Sequence, residues 1–203
     1  MYIPESYRNE NPEEIHEFLK ENAFGILVCN GPEGPMATHL PLELVEKDDQ
    51  TLLLRGHFAK ANPQWRHLEE GDEVLCIFNG PHAYISSSWY EEEEVPTWNY
   101  KAVHLKGRYR RQNEAELWEA LHAMVDKYEA DSAEPVSLKN MSRATLAQIR
   151  GIVGFEIQVT RLDAAFKLSQ GREHDHLRII NELEKRGGSS KDVAEAMKRN
   201  SKT

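Results

Sequence analysis

Four consecutive glutamates, Glu91–Glu94, separate two segments rich in aromatic and hydroxyl residues, and they restrict the fold more than any other feature of the chain. Like charges repel and each carboxylate would lose its hydration on burial, so this quartet marks a surface turn. Ahead of it, His82 to Tyr90 sets Ala83, Ile85 and Ser87 against Tyr84, Ser86 and Ser88, the period of a half-buried strand. Behind it, Thr97 to Arg111 alternates less cleanly. The stretch from Asn79 to His104 therefore reads as strand, acidic loop, strand. Polar atoms gather at the loop-proximal ends of both arms, in Ser86, Trp89, Thr97, Trp98, Asn99 and Tyr100. Indole and phenol rings beside hydroxyls and amides suit a flat heteroaromatic ligand, which the rings stack on and the polar groups orient. The same rings also suit a core or a subunit interface.

The rest of the chain supplies more short strands. Asn11 before Pro12, Glu13 and Glu14 starts a helix with Ile15, Phe18 and Leu19 on one stripe. Phe24 to Asn30 is a near-continuous apolar run, hence a buried strand, and Asn30–Gly34 turns the chain. Met36 to Glu46 and Thr51 to His57 continue an antiparallel meander, with Pro41 marking an edge or bulge. Glu73 to Asn79 is another buried strand. Asn113 caps a helix through Tyr128, Ser142 a shorter one through Ile149, and Val153 to Val159 with Leu162 to Leu168 adds sheet. Six or more strands with few helices between them favour a mainly β, α+β barrel. After Gln170 two helices follow, Arg172 to Arg186 and Ala194 to Arg199, the second with a capping box from Ser189 and Asp192. The expected organisation is a barrel domain over 1–170 and a helical tail over 171–203.

At Gly56 a strand gives way to a helical segment through Gly-His-Phe-Ala-Lys-Ala-Asn-Pro. His57, Lys60 and Asn62 at that start offer cationic and amide donors beside free backbone N–H groups, which suit a phosphate. Two solvated basic residues in an ordinary turn would look the same. Near Pro41, missing ladder bonds leave the backbone of Thr38, His39 and Leu40 open to a ligand.

The net charge of -9 argues against an extended nucleic-acid surface. From Arg172 onward eight Lys or Arg residues face six Asp or Glu residues, so the tail is mildly basic at +2. DNA contact is permitted there, and not indicated. Cys29 and Cys76 lie in apolar runs as reduced core thiols. No run approaches the roughly 18 apolar residues of a membrane span, and the start lacks the regions of a signal peptide, so a cytoplasmic protein without a membrane partner is expected. No nucleophile elbow, P-loop, dinucleotide fingerprint or zinc helix is present. His174 and His176 do not share a helix face, which makes them a poor metal pair. Neither a catalytic nor a metal constellation stands out.

Six stretches together, MYIP, THLPL, GHFAKANPQW, GPHAYISSSWY, VPTWNYKAVH and KLSQ with their order along nearly the whole chain, resemble the PaiB family. That resemblance implies an FMN-binding antiparallel split β-barrel with C-terminal helices. It further implies a homodimer acting as a negative transcriptional regulator of sporulation and degradative-enzyme genes. Phosphate would fall to His57 and Lys60, polar or backbone contacts to Thr38, His39, Leu40 and Asn62. Ser86, Trp89, Trp98 and Asn99 would meet the ring across a dimer interface. Two positions depart from the family pattern: Ser87 stands where proline is usual, and Gly171 where asparagine is usual. A flavin-dependent oxidoreductase acting on a small substrate and a haem-binding or haem-degrading split barrel are the alternatives, the latter with nine histidines to choose from.

Overall fold

The computed structural model describes residues 1–200; the last three residues of the expected tail, 201–203, lie outside the described residues. Seven strands form one antiparallel sheet: β1 (Phe24–Gly31), β2 (Gly34–Pro41), β3 (Glu43–Glu46), β4 (Leu52–Ala59), β5 (Glu73–Ile85), β6 (Thr97–Arg111) and β7 (Ile152–Lys167). Their order is β2-β1-β5-β6-β7-β4-β3. Five α-helices accompany them: α1 (Pro12–Glu21), α2 (Glu114–Glu129), α3 (Arg143–Leu146), α4 (His176–Arg186) and α5 (Ser189–Asn200). The α+β class and the antiparallel sheet agree with the sequence. Cα proximity separates a central unit, Ala23–Ile77 with Leu105–Leu162, from a terminal unit, Met1–Asn22 with Phe78–His104 and Asp163 onward.

In the central unit, β1 pairs with β2 over its whole length, Phe24 opposite Pro41 and Gly31 opposite Gly34. Met36 to Glu46 is not one strand, as expected, but two on opposite edges of the sheet. The break falls at Leu42, whose N–H leaves the ladder and donates to the Ala23 carbonyl at 2.8 Å. The sheet curls until β2 crosses β4. A Cβ on Gly56 would lie 3.0 Å from the Pro41 carbonyl oxygen and 2.7 Å from the Phe155 ring, so only glycine fits this crossing. Gly56 is thus a packing residue in mid-strand and not the end of a strand opening on a phosphate. Phe58, Phe155 and Tyr109 stack through the core with centroids 4.8 and 5.8 Å apart. A partly buried ion cluster ties three strands and a helix: Glu156 accepts from Arg55 at 3.2 Å and Arg110 at 3.1 Å. Arg110 also holds Glu116, the residue that closes the Asn113 capping box of α2. The carboxylates keep the Arg110 guanidinium firmly protonated.

In the terminal unit, Asn11 caps α1 as expected, accepting from Glu13 and Glu14 N–H groups, and Ile15, Phe18 and Leu19 are buried. Strand β5 runs unbroken through Gly80 and Pro81, where the sequence suggested two strands. The two expected pieces of β7 are likewise one strand. Helices α4 and α5 form a hairpin around Ile179, Ile180, Leu183, Val193, Ala194 and Met197. The hairpin turns on Gly187 and Gly188, at φ 75° and 54°. Helix α5 begins at Ser189, so the expected capping box does not form.

Both departures from the family pattern have a local reason. Ser87 opens the 3₁₀ turn Ser87–Trp89 behind Ser86, whose φ of -75° and ψ of 139° are those of a residue preceding proline. We expect Ser87→Pro to stabilise the chain by about 0.4–1 kcal/mol, because the unfolded chain loses freedom and no native hydrogen bond is lost. A urea titration measures this, and a lower midpoint contradicts it. Gly171 sits at φ 79°, the left-handed region that asparagine tolerates best after glycine.

Candidate functional site

The residues expected to contact a ligand divide between the units. Within the central unit, Thr38 and Asn62 are joined directly: Asn62 Nδ2 donates to Thr38 Oγ1 at 2.8 Å. Thr38 donates in turn to Gln64 Oε1 at 2.5 Å, and Gln64 N–H donates back to Asn62 Oδ1 at 2.9 Å. The buried Gln64 amide also reaches the Leu27 and Met36 carbonyls and Cys29 Sγ. This knot fixes the 3₁₀ turn Pro63–His67 to the inner face of β1 and β2. Asn62 acts as its N-cap. The backbone N–H groups expected to be free are engaged: Lys60 donates to Gly151 at 2.7 Å and Asn62 to Ala59 at 2.9 Å. Burial pushes the Cys29 thiol up, so it stays protonated and inert.

Lys60 is exposed, and among the described residues its ammonium has no ion-pair partner. Its carbonyl accepts from Trp65 Nε1 at 3.0 Å, and the Trp65 indole carries two cations, Arg111 at 5.0 Å and Arg66 at 5.5 Å. Two guanidinium groups thus lie on one indole, which is bonded to the backbone of Lys60. Arg111 escaped the sequence reading because it lies far from Trp65 in the chain and only the fold brings the two together; Arg66, next to Trp65, carries no mark of the contact. His57 points elsewhere, into a cavity of about 160 Å³ under α2 lined by Leu44, Val45, Leu117, Leu121 and Met124. Desolvation by burial pulls its pKa down, so the imidazole is neutral near pH 7.

The other face of β2, β1 and β5 is uncovered. The register places Ile26 opposite His39 and Ile77, Val28 opposite Ala37 and Leu75, and Phe24 opposite Pro41. All of these are exposed or half-buried, Phe24 at 68 %, and the Phe24 and His39 rings stack at 6.3 Å. Strand β2 is an edge of the sheet, so alternate residues turn N–H and C=O away from β1. Leu40 faces inward and is buried.

Within the terminal unit, the expected residues take different places. Ser86 caps its 3₁₀ turn. The Trp89 ring lies under Arg186 at 4.6 Å. Trp98 is 53 % exposed, with Tyr84 edge-on at 6.0 Å and His82 at 6.2 Å, and it offers the open aromatic surface the sequence suggested. Asn99 does not. It is fully buried, exchanging hydrogen bonds with Ser169 at 2.8 and 3.2 Å and donating to Met197 Sδ at 3.4 Å. Its amide therefore holds β6 to the tail.

The tail's arginines grip the segment before and within the acidic loop. Arg186 donates to the Tyr84 carbonyl at 2.7 Å, Arg178 to that of Ser88 at 2.8 Å, and Arg172 pairs with Glu94 while covering Tyr90. Asp175, wholly buried, accepts from Glu91 N–H at 2.9 Å. His176 Nε2 lies 2.9 Å from the Ser169 carbonyl and His174 beside Asp175, so the two histidines serve different partners.

Residues 1–161 match the family model described as "Putative FMN-binding domain". The chain is 46 % identical over 200 residues to the protease synthase and sporulation protein PAI 2 of Bacillus subtilis (strain 168), covering 97 % of this chain and 96 % of that protein. Among solved structures it resembles the FAD and heme binding protein from Mycobacterium smegmatis, at a TM-score of 0.61 and 14 % identity, with 79 % of this chain and 73 % of that one covered. The flavocytochrome Anf3 from Azotobacter vinelandii gives a TM-score of 0.60 and 17 % identity over 84 % of this chain and 75 % of that one. These two likenesses concern the fold alone. No helix among the described residues is long and apolar enough to cross a membrane.

Proposed function

We propose, because the chain belongs to the PaiB family of FMN-binding-domain proteins, that it is an FMN-binding homodimer acting as a negative regulator of transcription. The observation that carries the flavin reading is a cationic patch at Trp65, where Arg66 and Arg111 lie on the indole and the exposed Lys60 is bonded to it through its backbone carbonyl, in the segment where the family resemblance expects a phosphate. The donor set fits FMN. A phosphate dianion needs cations that no carboxylate already holds, and a pyrimidine edge needs backbone donors and acceptors such as the free side of β2 provides. The family resemblance assigns Lys60 to the phosphate, with the backbone of Thr38 to Leu40 beside the ring and Trp98 and Trp89 of the second copy stacking; His57, which points into the cavity under α2, is left out of this set. Asn62 and Thr38 act through the Gln64 knot, as supports for Lys60. When bound, FMN supplies the electron-transfer chemistry; the protein binds and orients it.

A second copy of the chain fits the uncovered face of β2, β1 and β5. Ile26, Val28, Leu75, Ile77 and Phe24 present no charge that a different partner would have to complement. Such a patch is equally suited to its own image across a two-fold axis.

The tail supports regulation through a protein or ligand contact better than through DNA. Arg172, Arg178 and Arg186 are engaged with their own chain, Lys185 pairs with Glu182, Lys198 with Glu184 and Glu195, and Arg199 with Glu17. Among the described residues of the tail, little free positive charge remains for phosphates. Transcript profiles test the coupling to flavin. The same genes rise in cells lacking the protein and in cells carrying Lys60→Ala. If no gene rises in either, regulation is wrong; if genes rise only without the protein, flavin is not the signal.

His57 gives a pH dependence. Its pKa in the folded protein lies below the ordinary value of 6.5, so the unfolded chain binds its proton first as the pH falls. The associated stability is present above pH 6.5 and drains away below it. The urea midpoint therefore drops from pH 7.5 to 5.5, and it drops less in His57→Gln. Equal slopes in the two proteins contradict this.

A further inference from the structure

The terminal unit holds a cavity of about 760 Å³ whose floor is Lys101, Phe18, Phe166 and Gly80. The Lys101 ammonium lies 4.2 Å from the centroid of Phe166 and 5.2 Å from that of Phe18. This floor is closely built: the two rings are 5.5 Å apart, and a Cβ on Gly80 would come within 2.3 Å of the Phe18 ring. Around it stand Glu14, Glu17 and Glu21 from α1, Asp192, Glu195 and Arg199 from α5, and His82 from β5. Among the described residues no carboxylate forms an ion pair with Lys101. Glu17 is taken by Arg199 at 3.5 Å and Glu195 by Lys198 at 2.7 Å. An ammonium so placed has lost water without gaining a counter-ion. Burial accordingly pulls the Lys101 pKa down, more than Glu21, Glu14 and Glu17 push it up, and Arg199 adds to the lowering. The regulatory reading leaves this amine unused.

We propose that Lys101 is a covalent docking site for small uncharged aldehydes and ketones, which it holds as an imine. The neutral amine's lone pair forms the N–C bond while the carbonyl π pair moves to oxygen. One proton passes from nitrogen to that oxygen to give the carbinolamine; the hydroxyl then leaves as water, taking the second N–H proton, while the nitrogen lone pair closes the C=N bond. No oxidant or second reactant is required. The phenyl floor accommodates the alkyl or aryl part of the ligand, and the cavity volume exceeds that of such molecules. Five carboxylates against one paired arginine select the class, because an anionic carbonyl compound such as a 2-oxo acid is repelled on entry. Lysines lowered in this way by burial are the ones that form Schiff bases.

The full-length protein is incubated at pH 7 with propanal and sodium cyanoborohydride, which traps imines, and the modified lysines are mapped by peptide mass. Lys101 is labelled faster than the exposed Lys20 and Lys139, since a lowered pKa raises the free-amine fraction. Labelling at or below the rate of Lys20, the outcome of burial alone, overturns the proposal. Glyoxylate, an anionic aldehyde, distinguishes the class: relative to propanal it labels Lys101 more slowly than it labels Lys139. Replacing Glu14, Glu17 and Glu21 together by Gln shifts the pH of half-maximal labelling downward and narrows that discrimination. If neither changes, the carboxylates do not select the ligand and the assignment to uncharged carbonyls is wrong.

Discussion

Lys60→Ala loosens FMN by roughly one to two orders of magnitude in Kd, the equivalent of about 1.5–3 kcal/mol for one charge-assisted phosphate contact. The size of the loss follows from the side chain's position. Among the described residues its ammonium has no ion-pair partner, so it is not diverted to a carboxylate, and the phosphate it is proposed to meet is doubly charged. The fold should not change. Lys60 is held through its backbone, by the N–H to Gly151 and the carbonyl to Trp65, and alanine keeps both bonds. Arg66 and Arg111 share the cluster, so removing either as well deepens the loss, and it lessens the salt dependence of binding. Fluorescence titration reads the affinity and a thermal melt checks the fold. An unchanged Kd in the alanine variant moves the phosphate elsewhere.

In the proposed homodimer, Ile26→Glu splits the pair. Ile26 lies in the middle of the uncovered face, flanked by His39 on β2 and Ile77 on β5. In an isologous pair the substitution enters twice, each copy placing a carboxylate where apolar surface is to be desolvated. A central contact of this kind is worth about 2 kcal/mol or more per copy, so the dimerisation constant weakens by roughly a thousandfold. The monomer survives, because the opposite face of β1, with Leu27 and Cys29, is the one that packs the core. Sedimentation equilibrium of the two proteins decides. A variant that associates as tightly as the parent shows that this face lies outside any interface.

Local features of the sequence carried over well into the structure. Strand β6 spans Thr97 to Arg111, as its alternation suggested, and Asn11, Asn113 and Ser142 cap the helices they precede. These signals depend on neighbours a few residues away. The misread elements are those in which a distant partner decides. Met36 to Glu46 is apolar enough for one strand, yet Leu42 turns aside to bond Ala23, and β3 pairs instead with β4. Gly56 looked like a hinge toward a ligand and is a crossing point, fixed by Phe155 about a hundred positions along the chain. At the site, His57 and Lys60 share a motif but face different surroundings, which no spacing rule separates. Asn99 reads as a ligand contact from its aromatic neighbours. Its role is set by Ser169, 70 residues away. Gln64 and Lys101 were passed over because an isolated glutamine or lysine in sequence carries no mark of burial.

The central claim, that this chain binds FMN with the cations around Trp65, is tested most directly by titrating the dialysed protein with FMN and following flavin fluorescence. The account predicts saturable quenching at one FMN per chain in the parent protein, and in Lys60→Ala the same end point reached only at roughly ten- to hundredfold higher protein concentration. Quenching absent from the parent, or equal affinity in both proteins, would contradict it.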